Sequence, residues 1–167
     1  LYDFSWLTAP GYSQYLYIMI PATFIGEYLL EWMRSEDHQH QGNWGKSRSL
    51  LLTVIMICLN ILVVCYLFRR EDGDILFSLI ASVILSIIAT KLSVNPGNST
   101  EKYVSRTIGW GLGLLVLGYL FEPYEGGIKK DPATLSYFFV TSGLAVFLLN
   151  ALMILIEKFR VRSGIRL

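Results

Sequence analysis

Two long runs without a charged residue constrain the fold of this chain more than any other feature. They are Ser49–Phe68 (SLLLTVIMICLNILVVCYLF) and Ala133–Ile156. A helix that crosses about 30 Å of hydrocarbon needs about 20 mostly apolar residues. Because lipid cannot satisfy bare backbone groups, and because neither run alternates with the period of a barrel strand, both runs are predicted to be helices. A soluble helical bundle is the alternative, but its helices would need polar faces that these two runs lack.

Three further apolar segments complete the pattern, and short polar connections separate them. The predicted helices lie near residues 13–33, 49–68, 75–91, 105–121 and 133–157. Only 16% of the residues are charged, against about 25% in soluble domains. We therefore predict an all-α polytopic membrane protein with about five transmembrane helices. Residues 1–167 are expected to form a single membrane domain that is a fragment of a larger multi-helix domain.

The distribution of Lys and Arg predicts the orientation, because cytoplasmic loops carry an excess of these residues. With five spans, ten basic residues fall on the side of the first loop, the third loop and the C-terminal tail, and four fall on the other side. The four are Arg69, Arg70, Lys129 and Lys130. This bias predicts a cytoplasmic C-terminus in an integral membrane protein, with the bacterial inner membrane as the expected location.

Polar residues within the spans have two interpretations each. Glu27 is the ionisable residue deepest in a predicted span, so it is a functional candidate, although it can also reach headgroups at the cytoplasmic end. Asn60 and Asn150 lie near the middle of their helices. Interhelical hydrogen bonding is the usual role of such residues, and we favour it over contact with a substrate.

Small residues recur at helical spacing in two spans. Ser78, Ser82 and Ser86 follow one another every fourth residue and predict a packing face. Gly109 and Gly113 form a GxxxG pair, which permits two helix backbones to approach closely. We expect these two glycines to face another helix, and a homo-oligomer is one possible source of such a helix.

The stretch EGGIKKDP, residues 125–132, is the most polar connection outside the first loop. Gly126-Gly127 suits a turn, and Asp131-Pro132 is typical of a helix start. The stretch would place Lys129 and Lys130 at the outer membrane surface, beside a helix N-terminus that favours anions. It can be a binding site or a plain hairpin with interfacial anchors, and composition does not decide between the two.

The segment Glu125–Ala145 (EGGIKKDPATLSYFFVTSGLA) resembles the transmembrane acyltransferases related to heparan-α-glucosaminide N-acetyltransferase. That family carries an extracytoplasmic motif of Asn/Lys-Lys, then Thr/Ser, then Ser-Tyr; this chain has Lys129 where relatives often have Asn. The resemblance implies acetyl transfer from cytoplasmic acetyl-CoA to an extracytoplasmic sugar amine or hydroxyl. It implies that the acceptor contacts Lys129, Lys130, Asp131, Ser136 and Tyr137, and that the catalytic histidine lies outside this chain.

The remaining residues bear on metal binding, on other partners and on two alternative functions. His38 and His40 form an HQH pair without a third ligand nearby, so no metal is expected, and no nucleic-acid partner is expected either. Apart from the acceptor, the expected partner is the lipid bilayer. The alternative functions are a membrane transporter or flippase segment, supported by Pro21 and Glu27, and a non-catalytic structural membrane subunit.

Overall fold

The computed structural model describes residues 15–35, 42–69, 74–130 and 133–159. These residues contain five α-helices and no strand, which confirms the predicted all-α class. In chain order the helices are α1 (Leu16–Arg34), α2 (Lys46–Arg69), α3 (Asp74–Leu92), α4 (Ser99–Glu125) and α5 (Leu135–Phe159).

Helix α4 differs most from its predicted bounds, because it begins at Ser99 rather than near residue 105. The side chain of Asn98 caps it by accepting a hydrogen bond from the backbone N–H of Glu101 at 2.8 Å. Its C-terminus is closed by Gly126, whose φ of 67° lies in the left-handed region that favours glycine. The polar residues 99–106 therefore extend the helix beyond the apolar run that predicted it.

Four of the helices form a closed ring in which each packs on two neighbours. Helix α2 contacts α3 and α5, and α4 contacts the same two helices from the other side. Helix α1 lies outside this ring, against α4 and α5. The most extensive contact joins α4 to α5, so this pair forms the centre of the domain.

The interior and the outer surface of the bundle are both apolar. Leu52, Met56, Leu59 and Val63 place one face of α2 in the core, where it meets Phe147 of α5. Large apolar side chains are also exposed on the outside of every helix. Such a surface is unusual for a soluble monomer and fits a bilayer. By length and composition three of the described helices can cross a membrane, within Lys46–Leu67, Ser99–Glu125 and Leu135–Glu157, whereas Phe77–Leu92 is a shorter apolar helix.

The seam between α4 and α5 is built on glycines, but not on the predicted pair. A Cβ on Gly109 or Gly113 would meet no atom within 4 Å, so these two glycines do not face another described helix. The prediction is not met within the described residues, because GxxxG spacing does not specify which helix covers the pair. The seam instead uses Gly111 and Gly118, one heptad apart on the adjacent face. A Cβ on Gly118 would lie 2.5 Å from the Val140 side chain.

Of the other small and polar residues that the sequence analysis singled out, four are placed as predicted and Asn60 is not. The predicted serine face is confirmed, because Ser78, Ser82 and Ser86 are all buried. Asn150 makes the expected interhelical bond, accepting from the Thr107 hydroxyl at 2.7 Å. Asn60 instead donates to the Met56 carbonyl of its own helix at 3.0 Å. Helix α2 thus satisfies Asn60 locally, and its predicted bond to a neighbouring helix was wrong.

Candidate functional site

The predicted site occupies the loop that joins α4 to α5 at one end of the bundle. Both Lys129 and Lys130 have exposed side chains. The loop is closed at Lys129, whose backbone carbonyl accepts from the Thr134 N–H at 3.1 Å and whose own N–H donates to the Thr134 hydroxyl at 3.1 Å. The two lysines are therefore presented to solvent on a loop that hydrogen bonds hold in place.

The helix start at this loop differs from the prediction. Asp131 and Pro132 lie outside the described residues, and α5 begins only at Leu135. The Thr134 hydroxyl takes the capping position, accepting from the Tyr137 N–H at 3.3 Å. The cap is thus formed three residues after Asp131, because Thr134 supplies the oxygen at the distance from the helix that capping requires.

A carboxylate of α4 completes this helix start. Glu125, the last residue of α4, accepts from the Leu135 and Ser136 N–H groups, each at 2.8 Å. A helix N-terminus attracts anions because its first N–H groups have no partner within the helix. Here an anion of the chain itself occupies that position, so these two N–H groups are not open to a ligand.

The remaining predicted site residues differ in how accessible they are. Ser136 is fully buried, and its hydroxyl lies 2.9 Å from that of Thr134. Tyr137 is half-buried, with its ring packed edge-on against Phe138. Of the described candidates, the two lysines are accessible to solvent and Tyr137 is partly accessible. Ser136 is not accessible, and its hydroxyl contacts the loop residue Thr134 instead.

The opposite end of the bundle contains a buried carboxylate that the sequence analysis did not single out. Glu101 is 1% exposed. One oxygen accepts from the Asn43 N–H at 3.0 Å and the Gly97 N–H at 2.7 Å, and the other accepts from the Trp44 N–H at 3.0 Å. A buried charge is tolerated when such donors surround it. Glu101 therefore joins the connection before α2 to the connection before α4.

Two side chains strengthen the same junction. The indole of Trp44 is buried and donates to the Val94 carbonyl at 3.2 Å. Arg48 donates to the Leu92 carbonyl at 2.8 Å and the Val94 carbonyl at 2.7 Å, and its guanidinium lies over the Trp44 ring. The carbonyl of Leu92, the last residue of α3, has no partner within the helix and is thereby satisfied from α2.

One sequence signal could have revealed this junction. Asn98 and Glu101 have the spacing of a capping box directly after a Pro-Gly turn. Two partners of Glu101, Trp44 and Asn43, lie 57 and 58 residues earlier in the chain, so no local pattern could have identified them. The same limit applies to Glu125, whose partners follow it by 10 and 11 residues.

Glu27, the ionisable candidate on α1, lies at the bundle surface together with Glu31. Glu27 and Glu31 are both exposed, and Glu31 pairs with Arg106 of α4 at 2.8 Å. His38 and His40 lie outside the described residues. Within the described ranges no group of three or more His, Cys, Asp or Glu side chains is placed to hold a metal ion.

Comparison with known proteins adds no relative. No protein-family model matches the chain, and no curated protein or solved structure does so either.

Proposed function

We propose that this chain is part of an integral-membrane acyltransferase that moves an acetyl group from cytoplasmic acetyl-CoA to an extracytoplasmic sugar amine or hydroxyl. The proposal rests on the resemblance of residues 125–145 to that enzyme family. The observation that carries it further is the exposure of Lys129 and Lys130 on a loop that hydrogen bonds fix at both ends. Both lysine side chains are thereby presented to solvent, where an acceptor would contact them.

In this proposal the acceptor binds at the α4–α5 loop, with Lys129, Lys130 and Asp131 orienting it and the Tyr137 ring beside it. A histidine outside residues 1–167 would accept the proton of the acceptor amine or hydroxyl, and acetyl-CoA would supply the acetyl group. Ser136 acts indirectly, because its buried hydroxyl contacts Thr134 and so holds the loop. The loop faces the outside of a bacterial inner membrane, and the C-terminus faces the cytoplasm.

The alternative of a transporter or flippase has less support. Transporters of this kind commonly bind substrate at a helix that is broken near the bilayer midplane. Helix α1, which contains Pro21, is continuous from Leu16 to Arg34. Pro21 was the main reason to expect a break, and the helix accommodates it.

Acetyl transfer by the full-length protein tests the proposal. Lys130→Ala removes a charged contact worth about 1.5–3 kcal/mol, so the rate with an amino-sugar acceptor should fall roughly tenfold to a hundredfold. Asp131→Asn should also slow transfer. Lys91→Ala is the matched control, because Lys91 is an exposed lysine at the other end of the bundle. Wild-type rates in both loop variants would mean that the loop is a plain hairpin and not a binding site.

A further inference from the structure

An apolar groove lies between α1 and the α4–α5 pair, outside the ring of four helices. Its volume is about 300 Å³, and its α1 wall extends from Ile18 to Leu29, a length of about 16 Å. The opposite wall consists of Leu114 of α4 and of α5 residues between Ser142 and Leu149. Among the lining residues only Ser142 has a polar side chain, and its hydroxyl oxygen is itself buried. The groove therefore presents only hydrocarbon to whatever fills it.

Small residues leave this groove open. Ala22 and Gly26 of α1 line it on one side and Ala145 of α5 on the other, and a Cβ on Gly26 would meet no atom within 4 Å. Both alanines are exposed, so they form the rim through which the groove opens outward. Within α1 only Pro21 and Ile25 are buried. The side chains in the middle of α1 therefore do not fill the space between this helix and α5.

Contacts near both ends of α1 hold the helix at this distance from the bundle. Near its start the Tyr17 ring packs edge-on against Phe139 of α5, with ring centroids 5.7 Å apart. Near its end the Trp32 indole donates to the Thr100 hydroxyl of α4 at 2.9 Å. Closing the groove by an inward shift of α1 would disturb both contacts. Because side chains that line an empty space lose dispersion contacts, an occupant from outside the described chain would stabilise this arrangement.

The groove lies at the depth of the hydrocarbon layer. Its α5 residues, 142–149, are in the middle of the stretch Leu135–Glu157 that can cross a membrane, and Leu114 is near the middle of Ser99–Glu125. The exposed alanines at the rim open it onto the same outer apolar surface that fits a bilayer. A polar ligand would have to leave water for a site without hydrogen-bond partners, which is costly. The material in contact with the open side is therefore hydrocarbon.

The dimensions of the groove match a single hydrocarbon chain. A helix is about 10 Å across, and a piece of helix as long as the groove would occupy about 1,300 Å³, more than four times the volume of the groove. A further helix could thus lie over the groove but not in it. Averaged over its length, the groove has a cross-section of about 18 Å², close to that of one extended hydrocarbon chain. We propose that one acyl chain of a bilayer lipid lies in this groove and completes the packing of α1 on α5. The site is independent of the acyl-transfer proposal, because it shares no residue with the α4–α5 loop.

Native mass spectrometry of the purified protein tests this site. After reconstitution with dimyristoylphosphatidylcholine and extraction in detergent, the wild type should retain one lipid per chain. Each buried CH₂ group changes binding by a factor of about four, so dioctanoylphosphatidylcholine should be retained at least tenfold less. Retention of no lipid, or equal retention of the two lipids, would overturn the proposal. A lipid-free dimer would also overturn it, because a second copy would then cover the groove.

Variants that fill the groove locate the bound lipid. Gly26→Leu places its side chain in open space, so it should fold normally and reduce lipid retention at least tenfold. Ala145→Leu fills the groove from the other wall and should have the same effect. Gly113→Leu is the matched control, because Gly113 is equally open but lies on α4 outside the groove; it should retain the lipid as the wild type does. Delipidation should lower the melting temperature of the wild type but not that of Gly26→Leu. Wild-type retention by both filled variants would place the lipid elsewhere and refute the proposal.

Discussion

The buried carboxylate of Glu101 allows a quantitative prediction about stability. In Glu101→Gln one oxygen becomes an NH₂ group, which cannot accept a hydrogen bond. The least costly arrangement keeps the oxygen that accepts from both Asn43 and Gly97 and turns the NH₂ group toward the Trp44 N–H. The variant therefore loses at least one bond to a charged acceptor and leaves the buried Trp44 N–H facing another donor.

The expected decrease in the free energy of unfolding follows from these two losses. A hydrogen bond to a charged group contributes about 1.5–3 kcal/mol, and an unsatisfied buried donor costs about 1–3 kcal/mol. These ranges describe overlapping effects, so we expect the free energy of unfolding to fall by about 3 kcal/mol. For a chain of this size 1 kcal/mol shifts the melting temperature by about 2–4 °C. Glu101→Gln should therefore melt about 6–12 °C below wild type.

The assay is thermal unfolding in detergent, followed by tryptophan fluorescence. Trp44 is a suitable reporter because it lies at the altered junction and is buried. Glu31→Gln is the matched control, since its carboxylate is 63% exposed and makes a surface ion pair, which is worth about 0–1 kcal/mol. A melting temperature for Glu101→Gln within 2 °C of wild type would refute the conclusion that this carboxylate holds the two connections together.

Three further predictions concern packing, polar contacts and orientation. Gly118→Ala should destabilise the domain by about 1–3 kcal/mol through overpacking, whereas Gly113→Ala should be neutral or stabilise it by up to about 1 kcal/mol; equal melting temperatures would contradict the glycine seam. Thr107→Val keeps the side-chain shape but loses the bond to the α5 amide, so unfolding in detergent should become easier by about 0.6–2 kcal/mol; no loss would mean that the bond contributes nothing. In a variant without native cysteines, an impermeant thiol reagent should label Lys129→Cys in intact cells and Lys91→Cys only after permeabilisation, and the reverse pattern would invert the proposed orientation.

The helices could be predicted from the sequence because their cause is local. An uncharged run such as residues 49–68 excludes loops and strands at membrane depth without reference to the rest of the chain. The serine face of α3 was predicted correctly for a similar reason, since small polar residues at a spacing of four mark a single helical face.

The contacts between helices could not be predicted in the same way. The chain has several glycines on α4, and their spacing alone gave no reason to prefer Gly111 and Gly118 over Gly109 and Gly113. The choice depends on where the Phe147 ring and Val140 of α5 lie. The buried role of Glu101 was missed for the same reason, because two of its partners come from a connection more than 50 residues away.

The position of Glu125 has a consequence for how α4 and α5 can move relative to each other. Close packing at glycines brings the two helices together but does not by itself fix their position along the helix axes. Glu125 belongs to one helix and binds the first N–H groups of the other, so a slip of one residue would displace those groups by about 1.5 Å and break both bonds. The Glu125 carboxylate therefore fixes the axial register of α4 against α5, while the glycines set only the distance between the two helices.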